Sequence, residues 1–220
     1  MDYARLIMMK APQFWMREKL PFWLRPFLWV SHLYAGITQW RLRRRSPFKA
    51  KAIVVCIGNL TVGGVGKTPL VQNLAATLQK KGIKVGILSR GYKGRLDGPV
   101  RVMPLYHTAK DVGDEPLLLA QTAPTWVAKD RAKGAAMMVR KGIRCILMDD
   151  GFQNPTLHKD LSFVVVDGQT GFGNGHIFPL GPLRESIDHG LLRAHGVIVV
   201  GDMSPTVTDI LKKSNQPLFH

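Results

Sequence analysis

Three glycines, a lysine and a hydroxyl fall together in the run Thr61-Val62-Gly63-Gly64-Val65-Gly66-Lys67-Thr68. Glycines at that spacing let successive backbone N–H groups turn inward around phosphate oxygens, and a helix opening at the lysine adds the positive end of its dipole. The apolar stretch Ala52 to Ile57 precedes the run, and a helical pattern with Leu70, Leu74 and Leu78 on one face follows it. Strand before and helix after distinguish it from an ordinary flexible turn with a solvated lysine. A nucleoside triphosphate is therefore the first ligand to expect, with Lys67 reaching the β- and γ-phosphates and Thr68 ligating Mg²⁺. The pattern GxxxxGK[ST] is broken at one place, because Thr61 stands where its first glycine belongs.

Asp149 and Asp150 end the apolar run Cys145 to Met148, with Gly151 behind them. A buried strand that delivers a carboxylate to the C-terminal edge of a sheet is what Mg²⁺ binding beside a phosphate loop requires. The plainer reading is an acidic turn, and the sequence does not say which aspartate would face the metal. Asp114, in Val112-Gly113-Asp114-Glu115-Pro116, reads equally as a helix N-cap and as a base that accepts a proton from an attacking hydroxyl. Arg184, in Gly181-Pro182-Leu183-Arg184-Glu185, is either a phosphate-binding guanidinium or an ion-pair partner of Glu185 or Asp188. The loop Arg90 to Arg95, rich in glycine and arginine, also suits phosphate. His158, His176, His189 and His195 lack metal spacing, so no zinc site is expected.

Positioning these groups calls for an α/β fold of the P-loop NTPase kind, a mostly parallel sheet with helices on both faces. Strands are expected at Ala52–Leu60, Lys84–Ser89, Val100–Met103, Thr125–Ala128, Cys145–Met148, Leu161–Val166 and Gly196–Val200. Helices are expected at Lys67–Lys81, closed by Gly82, and at Asp114–Thr122 and Arg131–Lys141. The stretch from Gly168 to Pro182 reads as a Gly/Pro-rich loop, and no internal repeat is evident.

The 220 residues, 45% of them hydrophobic, suffice for one substantial core: residues 52–220 as one domain, with residues 1–51 as an N-terminal extension. The net charge of +16 is concentrated in that extension, which carries 11 Lys/Arg against Asp2 and Glu18. Trp15, Trp23, Trp29 and Trp40 are there too. Leu20 to Trp40 is apolar and aromatic and gives way to Arg41, Arg43, Arg44 and Arg45, a combination that grips anionic lipid better than nucleic acid. Arg25, Pro21, Pro26, His32 and Gln39 argue against spanning, so an amphipathic, membrane-associated helix lying in the interface is expected. A helix packed on the domain with a solvated basic end is the alternative. No cleavable signal peptide is evident, and Cys56 and Cys145 read as reduced core residues of a cytosolic protein.

Five motifs then occur in one order: GNLTVGGVGKTP (58–69), SRGYKG (89–94), VGDEP (112–116), DDGFQ (149–153) and GPLRE (181–185). Together they resemble the tetraacyldisaccharide 4′-kinases, the lipid A 4′-kinases of Gram-negative bacteria, over about residues 20 to 204. The resemblance implies ATP- and Mg²⁺-dependent phosphorylation of the 4′-hydroxyl of a tetraacylated glucosamine disaccharide 1-phosphate at the cytoplasmic face of the inner membrane. The implied partners are the lipid and the anionic membrane surface, with neither nucleic acid nor an obligate protein. By the same resemblance residues 61 to 68 bind ATP, Asp114 is the general base, Asp149 and Asp150 serve Mg²⁺, and Arg90, Gln153 and Arg184 contact the substrate. Asn154 stands where the family has histidine. The family also continues into a second lobe beyond the position of His220, which sets the expectation that ATP binding persists while turnover is impaired. Two rival readings remain: a membrane-attached P-loop ATPase switch, whose loop would carry a second lysine where Thr61 and Val62 sit, and a non-catalytic nucleotide-binding remnant.

Overall fold

Continuous apolar runs become strands covered on both faces, and the computed structural model, which describes residues 12–17, 19–43 and 46–220, places them as parallel neighbours. In chain order the elements are two 3₁₀ turns (Gln13–Met16 and Phe22–Phe27), α1 (Leu28–Arg43), β1 (Ile53–Gly58), α2 (Lys67–Lys80), β2 (Val85–Ser89), β3 (Val100–Arg101), α3 (Ala109–Val112), α4 (Asp114–Leu119), β4 (Thr125–Val127), α5 (Arg131–Arg140) and β5 (Cys145–Asp149). β6 (Leu161–Asp167), α6 (Ile187–Leu192), β7 (Gly196–Val200), α7 (Pro205–Lys212) and β8 (Leu218–Phe219) follow. Each expected strand and helix is present within a few residues of its expected bounds. The short elements α3, α6, α7 and β8 were not expected.

The chain divides into two compact units. The second comprises Arg45–Gly58 and Lys67–Ser162. Its strands run β3-β4-β2-β5-β1, all parallel except β3, which pairs antiparallel with β4. Register places Ile57 opposite Asp149, Leu88 opposite Met148 and Ser89 opposite Val127, so the C-terminal ends of four strands share one edge. On one face of β2, a Cβ at Gly86 would lie 2.9 Å from the Met138 side chain, and Leu88 packs where a Cβ at Gly134 would lie 2.8 Å from it. These glycines let α5 approach the sheet closely. The buried stripe of α2 runs through Val71 and Ala75, one position on from the expected leucines, which are half-buried. Cys56 and Cys145 are free and buried, and burial pushes the Cys56 thiol up to about 12.

A five-residue pattern that the sequence hides is repeated here. Lys80-Lys81-Gly82-Ile83-Lys84 closes α2, and Arg140-Lys141-Gly142-Ile143-Arg144 closes α5 in the same way. Gly82 (φ +76°) and Gly142 (φ +84°) take the left-handed conformation, while the amides of Ile83 and Ile143 each return 3.1 Å to the carbonyls of Leu78 and Met138. This is a Schellman cap, and it delivers each chain directly into the next parallel strand.

The first unit contains the described part of Met1–Arg44, with Asn59–Gly66 and Phe163–His220. Its strands run β6-β7-β8, all parallel, with Val165 opposite Ile198 and Val197 opposite Leu218. Pro21 and Pro26 explain why the expected N-terminal helix begins as a 3₁₀ turn and becomes α-helical only at Leu28. Polarity along α1 is inverted relative to a core helix. Ser31 is buried, whereas Trp29, Leu33, Ile37 and Trp40 on the helix and Phe22, Trp23 and Phe27 before it are exposed. Arg44 and Arg45 of the expected basic block, the Arg43 side chain, and residues 1–11 and 18 lie outside the described residues. Among the described residues no helix is long and apolar enough to cross a membrane.

Candidate active site

In the second unit the acidic pair sits where β5 runs out. Asp149 is the last strand residue and only 2% exposed, while Asp150 adopts φ +48°, a left-handed turn that its short polar side chain tolerates. The Asp150 amide donates to the Ile57 carbonyl at 3.0 Å, which hooks the turn onto β1. Space is tight there: a Cβ at Gly58 would stand 2.6 Å from the Phe152 Cβ, and one at Gly151 would stand 2.5 Å from the Met148 side chain. Lys67, the first residue of α2, holds its Nζ 3.7 Å from Asp150 Oδ1.

Asp149 is pushed up to about 7, first by burial and then by the charges of Glu115 and Asp150, against the pull of Lys67 and Arg131. Arg131, 3% exposed at the start of α5, is pushed down to about 10 by the same loss of water. Its guanidinium donates to the Ala128 carbonyl at the end of β4. Asp149 Oδ1 and Arg131 Nε are both buried without a hydrogen-bond partner. A carboxylate oxygen left unsatisfied in this way is chemically suited to a hard cation. Among the described residues no three His, Cys, Asp or Glu gather as a metal site.

Asp114 opens α4 as its first helical residue and is exposed; Gly113, at φ +89°, takes the capping position that the sequence offered to Asp114. The stretch before it is firmly held. Thr108 and Asp111 form a capping box, and two hydrogen bonds from Thr108, with help from Arg95, hold the Asp111 carboxyl down at about 2. The loop carrying Arg90 is brought against this segment: a Cβ at Gly113 would lie 2.4 Å from the Tyr92 carbonyl oxygen, and one at Gly94 would lie 2.6 Å from Val112. Gln153 follows Phe152 in the turn after β5. Next to it, Asn154 accepts from the Thr156 amide and hydroxyl at 3.0 and 2.9 Å, which braces the turn.

In the first unit, the leading part of the glycine loop is pinned by backbone. Thr61 bridges Leu183 in antiparallel fashion, Val62 N–H donates to the Pro182 carbonyl at 2.7 Å, and Arg184 N–H donates to the Leu60 carbonyl at 2.7 Å. Thr61 replaces glycine without strain because the chain is extended there and the left-handed turns come later, at Gly63 (φ +128°) and Gly66 (φ +78°). Gly64 is exposed and Val65 buried. Asn59, fully buried, donates from Nδ2 to Thr61 Oγ1 (3.4 Å) and to the Gly63 carbonyl (3.3 Å). Glu185, also buried, is ion-paired to Arg193. His189 Nδ1 lies 3.1 Å from Gln39 Nε2 and 2.7 Å from Ser186 Oγ, in keeping with the polar role expected of it.

Asn59, Glu115 and Arg131 were not singled out from the sequence. Asn59 and Glu115 lie inside motifs that were recognised, so closer attention to those motifs would have found them. Arg131 carries no local signal, since its relation to Asp149 arises only when β4 and β5 are placed in one sheet.

The family model of LpxK, tetraacyldisaccharide-1-P 4′-kinase, matches residues 20–219. The chain belongs to this family. It is 51% identical over 196 residues to the tetraacyldisaccharide 4′-kinase of Parvibaculum lavamentivorans, covering 88% of this chain and 57% of that one. The Gluconobacter oxydans kinase of the same name is 50% identical (88% and 59%), and that of Rhodospirillum centenum is 46% identical over 209 residues (93% and 61%). A crystal structure of Aquifex aeolicus LpxK, described as an "apo" form in complex with ATP, superposes with a TM-score of 0.72 at 29% identity, covering 89% of this chain and 62% of that one. The chain thus spans about three fifths of the length of these relatives.

Proposed function

We propose that this chain carries the ATP-dependent phosphoryl-transfer site of a lipid A 4′-kinase, whose acceptor is the 4′-hydroxyl of a tetraacylated glucosamine disaccharide 1-phosphate. The observation that carries the reading is the pairing of Lys67 with the acidic end of β5, 3.7 Å from Asp150, directly after the glycine loop. The names of the relatives and the ATP complex of the Aquifex protein support it. Residues 61 to 68 would wrap the triphosphate with backbone N–H groups, and Lys67 would neutralise the β/γ oxygens. Mg²⁺, held by Thr68, Asp149 and Asp150, would supply further charge neutralisation there. Asp114, exposed at the start of α4, would orient the sugar hydroxyl and accept its proton for in-line attack. Arg90, Gln153 and Arg184 are assigned to the substrate.

The N-terminal extension, residues 1–51, would place the site at the cytoplasmic face of the inner membrane. Trp29, Leu33 and Ile37 enter the interface and the arginines after Trp40 meet anionic headgroups. Residues 52–220 form the kinase portion. The test is incubation of the 220-residue protein with labelled ATP, Mg²⁺ and the disaccharide lipid. Labelled lipid is the expected product. Release of phosphate without labelled lipid would make the protein an ATPase, and ATP binding with neither product would make it a nucleotide-binding module. Asp114→Ala should abolish transfer and leave ATP affinity nearly intact, so unchanged turnover in that variant would remove its catalytic role.

A further inference from the structure

The glycine-rich stretch from Gly168 to Gly181 takes no part in the chemistry above, yet Phe14, Trp15 and Ser31 are anchored to it. Asn174 is its hub. Its amide N–H donates to the Trp15 carbonyl at 2.7 Å, its Nδ2 donates to the carbonyls of Phe14 (3.1 Å) and Leu180 (2.9 Å), and its Oδ1 accepts from the His176 amide at 3.0 Å. The surroundings admit no substitute: a Cβ at Gly173 would lie 2.6 Å from the Trp15 carbonyl oxygen, and one at Gly181 would lie 2.2 Å from Asn174 Oδ1. The Trp15 indole N–H donates to the Pro179 carbonyl (3.0 Å), and the Ser31 hydroxyl donates to that of Ile177 (2.8 Å). Leu180 is buried against Leu20 and Leu24.

The other side of the same stretch reaches the phosphate loop. Ile177 pairs with Leu183, and Phe178 N–H donates to the Leu183 carbonyl at 2.8 Å. Leu183 in turn bridges Thr61, and its neighbours Pro182 and Arg184 hold Val62 and Leu60. Every link in this chain of contacts lies within the first unit. Five glycines occupy positions 168 to 181, so without the hub the stretch would be among the floppiest of the molecule.

We infer that Asn174 is a positioning residue that fixes the N-terminal stretch and the leading half of the phosphate loop as one piece. The physical reason is preorganisation. Amides that must converge on a phosphate bind it tightly only when they do not have to be ordered by it, and a side-chain amide bonded at both ends ties the scaffold of those amides to a buried tryptophan and leucine cluster. The inference rests on the reading of residues 61 to 68 as the ATP loop, and it adds that ATP affinity depends on Phe14, Trp15 and Ser31, which lie outside that loop.

Hydrogen exchange over residues 59–66 in the full 220-residue protein, read by mass spectrometry beside calorimetric titration with Mg²⁺ and ATP, tests it. Asn174→Ala should speed exchange there and weaken ATP binding, each by about tenfold, the worth of one or two hydrogen bonds. Trp15→Phe keeps an aromatic ring, though a smaller one, and loses the N–H bond to Pro179, and should give about threefold or more. The double variant should be no weaker than Asn174→Ala alone, because both act through one path. Unchanged exchange in both folded variants, or effects that simply multiply, would overturn the inference. Should Asn174→Ala fail to fold, Trp15→Phe decides it alone. A wild-type protein that binds no ATP would defeat the nucleotide reading, and the exchange rates would still decide this one.

Discussion

The acidic strand end of the second unit and the phosphate-loop edge of the first are held in different ways. Asp149, Arg131 and Lys67 are placed by regular elements: a buried strand and the first turns of two helices, locked by register. Thr61, Val62 and Arg184 are placed by irregular backbone, through single bonds to Pro182, Leu183 and Leu60 and through Asn174 beyond them. The first arrangement pays in desolvation, since two charged groups sit out of water with an unpartnered atom each. The second costs conformational entropy, which the glycine-rich chain must give up to keep its shape. Charge perturbation belongs to the sheet edge and backbone precision to the loop edge.

The contrast breaks down or sharpens under substitution. Arg131→Met should cost about 3 kcal/mol of stability in urea unfolding, because it leaves the buried Ala128 carbonyl without its charged donor, and a loss below about 1 kcal/mol would mean that this hydrogen bond is not held in solution. The pH dependence should come from the same place. The Asp149 carboxyl rises from 3.8 to about 7 in the folded protein, so its contribution is fully present below about pH 4 and is lost as the pH climbs towards 7. The loss is bounded at roughly 4 kcal/mol, and Asp149→Asn should flatten the profile. Lys67→Ala should weaken ATP binding by about a hundredfold in calorimetry, as for other lone cationic or donor groups facing a phosphate or oxyanion. A methyl added by Gly58→Ala would overlap Phe152 and should cost about 1–3 kcal/mol, read as a lowered urea midpoint. The smallest effect is expected on α1: Leu33→Ser with Ile37→Ser should leave stability within about 0.5 kcal/mol while lowering flotation with anionic vesicles.

Legibility in the sequence follows the same division. β1, β2, β5 and β7 were readable because strands buried on both faces write uninterrupted apolar runs, and the glycine loop was readable because its glycines, lysine and threonine form a local pattern. Asp149 and Asp150 followed from the strand they end. Arg131 was not readable, because no local pattern marks a side chain that meets its partner only across strands. Asn174 was passed over within a loop for a related reason: its partners, Phe14 and Trp15, lie 160 residues away in the case of Phe14. Thr61 shows the opposite error, a departure from a pattern that the backbone does not require. Short helices such as α6, six residues long, offer too few turns for a periodicity to register.

The outward apolar ridge on α1 also bears on how the molecule behaves in a tube. At +16 the protein repels its own copies, and that repulsion is the main thing keeping exposed Trp29, Leu33 and Ile37 of one molecule from meeting those of another. Salt shortens the reach of the repulsion to about 8 Å near physiological strength without weakening the attraction. Added salt, which usually keeps a basic protein in solution, should therefore cloud this one, and a little non-ionic detergent should clear it.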